Sequence, residues 1–112
     1  MRVLEEYPNI NLSVSFAGES AHACGEIAYN LGIKDHLFVF GVDDMKTTID
    51  YIKKGYIDAS IVTSFYQYGY NSLYLLYQYK TENKVPVSVN QPVELIVVNK
   101  DNADTYMEEL EK

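Results

Sequence analysis

Two adjacent carboxylates, Asp43 and Asp44, follow directly on the apolar run Leu37-Phe38-Val39-Phe40-Gly41-Val42. A carboxylate at the end of an apolar segment is a strong acceptor for hydroxyl protons, because hydrogen bonds to an ionised group are shorter and stronger than neutral ones. Two other places set side-chain oxygens after an apolar stretch: Gly18-Glu19-Ser20 and Thr63-Ser64. Asp43, Glu19, Ser20 and Thr63 therefore offer the oxygens that a neutral polyhydroxy ligand requires. His22 and His36 are too far apart and too isolated to suggest a metal site, and read as surface groups. Cys24 has no base close by and lies on an apolar helical stripe, the pattern of a small buried hydrophobe and not of a nucleophile. No catalytic residue and no cofactor is implied.

The elements that would position these oxygens follow from periodicity. Val3 to Tyr7 reads as the tail of a helix closed by Pro8. Leu12, Val14 and Phe16 alternate with Ser13 and Ser15, the period of a strand. Ala17-Gly18-Glu19 makes a turn, and Ser20 suits the cap of a helix whose apolar stripe is Ala21, Cys24, Ala28 and Leu31, stopped by Gly32. Leu37 to Val42, apolar at every position, is typical of a parallel strand covered on both faces. Asp43-Asp44 suits the cap of the next helix, with Met45, Ile49 and Ile52 inward and Lys53, Lys54 and Gly55 at its end. Ala59 to Thr63 is a further strand. Tyr66 to Tyr79 is helical, with Tyr66, Tyr70, Leu73 and Tyr77 on one face. A polar loop carries Pro86, Val93 to Val98 is the last strand, and Asp101 suits the cap of a short helix ending near Leu110. Strands alternating with helices in this way predict an α/β fold with a mostly parallel sheet flanked by helices. In such sheets ligands bind beyond the carboxyl ends of the strands, which is where Glu19-Ser20, Asp43 and Thr63 fall.

Composition narrows the partners. The chain has 112 residues and a formal net charge of -7, with no clustered basic patch. A negative surface disfavours nucleic acid, whose binding rests on phosphates neutralised by Lys and Arg, and disfavours anionic membrane surfaces. Cys24, the only cysteine, has no partner for an internal disulfide. No apolar run approaches the length of a membrane span, and no basic stretch followed by an apolar one opens the chain, so no secretion signal is expected within these residues. Eleven tyrosines suit interfaces and sugar stacking, but a compositional habit of the source is the plainer explanation.

Several motifs then fall into register. Phe38-Val39-Phe40-Gly41-Val42-Asp43-Asp44 resembles the V-V-G-F-D motif of type I periplasmic sugar-binding proteins, the ribose-binding-like family. Gly55-Tyr56-Ile57-Asp58-Ala59-Ser60-Ile61-Val62-Thr63 resembles the G-x-(I/L)-x-A-T-(I/V)-x-Q stretch of that family, and Gly69 matches the glycine opening the following helix. Tyr7-Pro8-Asn9-Ile10 resembles H-P-D-(I/V), and Asn99-Lys100-Asp101-Asn102 resembles the closing T-x-E-N. The match runs from Tyr7 to Tyr106 and covers only the last part of the family's length.

The resemblance implies a partial periplasmic-binding-protein-like fold in which residues 1–63 and 95–112 form elements of one lobe and residues 64–94 belong to the other. It implies reversible capture of a small polar solute, a sugar above all, outside the cytoplasm (periplasmic or cell-surface), for a membrane transporter or a sensor kinase, with no chemical step. Asp43 falls on the aspartate that accepts sugar hydroxyls, a role that the resemblance favours over a helix cap. Thr63 stands where the family often has glutamine, Glu19-Ser20 where it usually has Asn-Asp, and Val42 replaces a phenylalanine. The effector-binding domain of a LacI-type transcriptional regulator shares the fold and is the alternative reading; Asp58-Ala59-Ser60-Ile61-Val62 is closer to the transport-associated pattern. A phosphoacceptor receiver also ends a strand in acidic residues, but it needs a second carboxylate site and a lysine after a later strand, where this chain has Phe65. Finally, Tyr70, Leu73, Tyr74 and Tyr77 form an apolar helical face whose family partner is the other lobe, so self-association through that face is expected.

Overall fold

The structure, a computed structural model, describes residues 2–110. The elements are α1 (Arg2–Glu6), β1 (Leu12–Val14), α2 (Gly18–Asn30), β2 (Phe38–Val42), α3 (Lys46–Lys54), β3 (Ala59–Thr63), α4 (Phe65–Glu82), β4 (Leu95–Asn99) and α5 (Ala103–Leu110). They divide into two compact units, Met1–Val62 with Ile96–Lys112, and Thr63–Leu95.

The larger unit is built on a four-stranded sheet in the order β1-β2-β3-β4. β1 and β2 run parallel with Leu12 opposite Phe38, and β2 and β3 run parallel with Phe40 opposite Ala59. Each strand is added on the same side of the last. Crossovers between parallel strands are right-handed, so α2 and α3 must both lie on one face of this sheet. The core sits there: Val39, Val62 and Val98 of the sheet pack with Ala21 and Ala28 of α2, Ile49 and Ile52 of α3 and Ala103 of α5.

The other face is different from the sequence expectation. The run Leu37 to Val42 reads as a strand covered on both sides, yet Phe38 is 48% exposed, and Leu12 and Val14, on the same face by register, are 53% and 46% exposed. Phe38 and Phe40 stack on each other on that face, with ring centroids 6.5 Å apart. Among the described residues of this unit no helix lies over them, because covering that face needs a reversal of strand order, and the order here never reverses. Strand β1 shows the same effect. Its serines, not its apolar residues, face the helices: Ser13 Oγ lies 2.9 Å from Cys24 Sγ, while Phe16 beyond the strand is 86% exposed.

Three helix starts also differ from expectation. α2 begins at Gly18 behind Ala17, which makes no side-chain cap, and Ser20 instead donates its hydroxyl to the Ala17 carbonyl at 2.7 Å. α3 begins at Lys46 behind Met45, again without a side-chain cap, so Asp43 and Asp44 do not cap it. The final helix starts after Asn102 and not after Asp101; the Asn102 side chain turns back to accept from Asn99 N at 2.8 Å. The helix stops are as the sequence suggests: Gly32 and Gly55 take φ of 68° and 79°, left-handed conformations that cost glycine little. A half-buried ion pair pins the lower end of the sheet. Asp58 Oδ2 accepts from Lys34 Nζ at 2.6 Å and from Val39 N at 2.7 Å, tying the loop before β2 to the start of β3.

The second unit is α4 and the residues up to Leu95. Ser64 caps α4, its hydroxyl accepting from Gln67 N at 3.2 Å, and Asn83 ends it at φ 54°. Tyr66, Tyr70 and Tyr74 stack in series along one face, with successive centroids 6.1 Å apart.

Close approach of α2 to the loop between α3 and β3 makes one glycine sensitive. A Cβ on Gly25 would stand 2.6 Å from the Tyr56 carbonyl oxygen, whereas a Cβ on Gly69 in α4 meets nothing within 4 Å. Gly25→Ala is expected to lose about 1–3 kcal/mol from overpacking against backbone, outweighing the gain of about 1 kcal/mol in helix propensity. Gly69→Ala is expected to show only the gain. Thermal unfolding of the two variants checks the contrast; equal shifts would contradict the α2 packing described.

Candidate functional site

The carboxyl ends of β1 and β2 meet at Asp43. Its backbone has φ 113°, unusual for a residue other than glycine. Such a conformation costs on the order of 1–3 kcal/mol and persists only where its surroundings enforce it. They do so here. Asp43 N donates to Ile61 O at 3.0 Å. The Asp43 carbonyl accepts the fully buried Ser60 hydroxyl at 2.7 Å. Asp43 Oδ1 accepts from Asp44 N at 2.6 Å.

Asp43 Oδ2 faces the start of α2. A Cβ on Gly18 would lie 2.9 Å from it and 2.9 Å from Met45 Sδ. A side chain on Gly18 would therefore displace the Asp43 carboxylate and the Met45 thioether; its own φ is ordinary. The first turn of a helix carries unpaired N–H groups and the positive end of the helix dipole, a favourable place for a carboxylate. Glu19 and Ser20 stand on this first turn, both exposed. The structure thus brings Asp43 and the Gly18-Glu19-Ser20 turn together. Thr63, the last residue of β3, falls in the second unit.

Behind Asp43 lies a second carboxylate with a different role. Asp44 Oδ2 accepts the Tyr106 phenol at 2.8 Å, joining β2's end to α5. Burial first, then the hydrogen bond to Asp44, push the Tyr106 phenol well above the usual tyrosine value. Nothing in the local sequence marks Tyr106; it is one of many tyrosines, and only the docking of α5 reveals it. His22, expected at the surface, is half-buried, with Nε2 2.7 Å from the Oγ1 of buried Thr48 and its ring against Tyr51. It joins α2 to α3 and lies outside any metal-ligating group. Cys24 is half-buried beside Ser13. Among the described residues no cluster of His, Cys, Asp and Glu is placed to hold a metal.

Asp43 and the first turn of α2 thus stand together at the carboxyl end of a mostly parallel sheet in an α/β unit. The model of the periplasmic binding protein domain matches residues 1–84 of the 112, and the chain belongs to that family. No curated protein matches the chain. Among solved structures, it superimposes on GanP, a glucose-galactose binding protein from Geobacillus stearothermophilus, with TM-score 0.81 and 24% identity over 90% of this chain and 35% of that one. It superimposes on the XylFII-LytSN complex with TM-score 0.72 and 23% identity, over 89% of this chain and 34% of that one. A putative LacI transcriptional regulator from Bacteroides fragilis gives TM-score 0.75 and 20% identity, over 94% of this chain and 35% of that one. The chain spans about a third of the length of these structures. At these identities the likeness establishes the fold, an α/β periplasmic-binding-protein fold with a mostly parallel sheet.

The raised Tyr106 phenol gives a pH dependence. Its ionisation is easier in the unfolded chain, near the ordinary value of 10, than in the folded one. Its contribution to stability is therefore complete below pH 10 and is lost as pH rises above that toward the folded-state value. Denaturant unfolding between pH 9 and 11 is expected to show stability falling with pH (on the order of the unfolded tyrosine range), with a shallower fall in Tyr106→Phe. Parallel declines in the two proteins would place the phenol in solvent.

Proposed function

We propose that this chain forms part of a solute-binding protein that captures a small polar solute, a sugar by preference, outside the cytoplasm. In this reading residues 64–94 belong to the opposing lobe, and the solute lies between lobes against the carboxyl end of the sheet. Asp43 accepts its hydroxyl protons, Glu19 and Ser20 shape specificity from the first turn of α2, and Thr63 lies at the edge of the hinge. Capture and release need no chemical step. The observation that carries the reading is Asp43 itself. It is a strained residue, freed of any capping duty, with one carboxylate oxygen turned to a helix N-terminus, at the position that resembles the sugar-binding aspartate.

Delivery to a membrane transporter or to a sensor kinase fits this capture equally; GanP, by name a sugar-binding protein, and XylFII, in complex with LytSN, have the same fold. The putative LacI regulator shares it too, and supports effector binding in a transcriptional regulator as the second reading. A DNA-binding headpiece in the complete reading frame would favour that reading, and a secretion signal the first.

The exposed α4 face supports self-association as well: Tyr70, Leu73 and Tyr77 are 56%, 69% and 60% exposed, and contiguous apolar surface of this kind seeks a partner. Sedimentation of the 112-residue chain is expected to show species larger than the monomer at high concentration. A strictly monomeric profile with an ordered core would remove the idea.

Binding is tested with Asp43→Asn in the complete reading frame. Asn keeps one acceptor and loses the charge, and it tolerates positive φ better than most residues, so stability is expected to change little. Hydrogen bonds to a charged acceptor are worth about 1.5–3 kcal/mol each. A loss of affinity of about tenfold or more for the cognate monosaccharide, found by calorimetric screening, is therefore expected. Unchanged affinity with folding intact would take Asp43 out of the site.

A further inference from the structure

Asp43 would return to an ordinary backbone conformation if its neighbours allowed it. The peptide that links it to Asp44 is held at both ends. Ser60 Oγ donates to its carbonyl, and its N–H donates to Asp43 Oδ1. The first bond comes from β3 and is rigid, since Ser60 is fully buried. The second depends on how Asp44 is turned. Asp44 stands in the short connection between β2 and α3, with its N–H and carboxylate as its hydrogen-bonding handles. That carboxylate is tethered to Tyr106, 62 residues further along the chain, at 2.8 Å. Tyr106 is in turn fixed because α5 is docked on the core: Ala103 is fully buried, Met107 packs against the same cluster, and Asp104 pairs with Lys53 of α3.

We propose that Tyr106 is a positioning residue for this site. By anchoring Asp44 it keeps the Asp43–Asp44 peptide turned, holds Asp43 at φ 113° and leaves Oδ2 aimed beside Gly18, so the docking of α5 decides whether the site exists. The functional meaning of this device rests on the reading of Asp43 as the solute acceptor; its geometry does not. A purely structural hydrogen bond would stabilise α5 and leave the conformation of Asp43 alone, and the two roles separate experimentally.

The test is amide hydrogen exchange on the isotope-labelled chain, without ligand. In Tyr106→Phe the Asp44 amide is expected to exchange at least about tenfold faster, because its bond to Asp43 Oδ1 opens locally. The Val39 amide, bonded to Asp58 at the opposite end of the strand, is the control and is expected to stay within about twofold. Glycine adopts positive φ without strain. In an Asp43→Gly background there is no side chain to bond and no strain to hold, so adding Tyr106→Phe is expected to change Asp44 exchange by less than about twofold. Should Tyr106→Phe fail to fold, Asp44→Ala removes the acceptor, keeps the amide and the tyrosine ring, and is read in the same way. Unchanged Asp44 exchange, or an equal acceleration at Val39 and Asp44, overturns the proposal. Calorimetry with D-galactose on Asp43→Asn tests the solute reading separately, and its failure would leave the exchange result standing.

Discussion

Handedness governs the architecture of the larger unit. A parallel sheet that grows in one direction, with right-handed crossovers, places its crossover helices on a single side. From this follow the one-sided core, the small residues on α2 and the nearness of α2 to the strand ends. Alanines at positions 21 and 28 and glycine at 25 let the helix approach closely, and Gly41 on β2 receives it: a Cβ there would stand 3.1 Å from the Ala21 Cβ. The opposite face keeps its apolar residues in view for the same geometric reason.

At the carboxyl edge the same closeness brings α2 to Asp43. Gly18 opens α2 close beside the Asp43 carboxylate, at the positive end of the helix dipole. The arrangement stores strain in one residue and distributes its restraint over β3, the neighbouring peptide and α5. That is a reasonable division for a binding protein. A carboxylate that had to be reorganised for each capture would lose part of its binding energy to ordering, whereas one already fixed spends little.

Much of this was legible in the amino-acid sequence, and the boundary of legibility has a physical cause. Alternation, capping glycines and the apolar run specified the order of strands and helices, and Asp43 stands out by its position after that run. Local patterns failed where long-range packing decides. Ser20 and Asp43-Asp44 have cap chemistry, but Ser20 bonds to the carbonyl before it and the aspartates are drawn toward β3 and α5. Leu12 and Val14 alternate correctly, yet periodicity does not say which face receives the helices. Tyr106 and His22 act through partners 62 and 26 residues away, and nothing near them in the chain announces those contacts.

The tyrosine series on α4 has an optical consequence. The chain contains no tryptophan, so tyrosine emission is not drained to a lower-energy indole. Tyr66, Tyr70 and Tyr74 lie nearly parallel, with interplanar angles of 20° and 10° and centroids 6.1 Å apart. Transition moments that close and that aligned couple, giving the helix its own near-ultraviolet circular dichroism and letting excitation hop from ring to ring. Because these rings are aligned only while α4 keeps its turns, fraying of α4 removes its share of a signal to which the closer Tyr29–Tyr56 and Tyr51–Tyr56 pairs of the larger unit also contribute, at 4.4 and 5.1 Å.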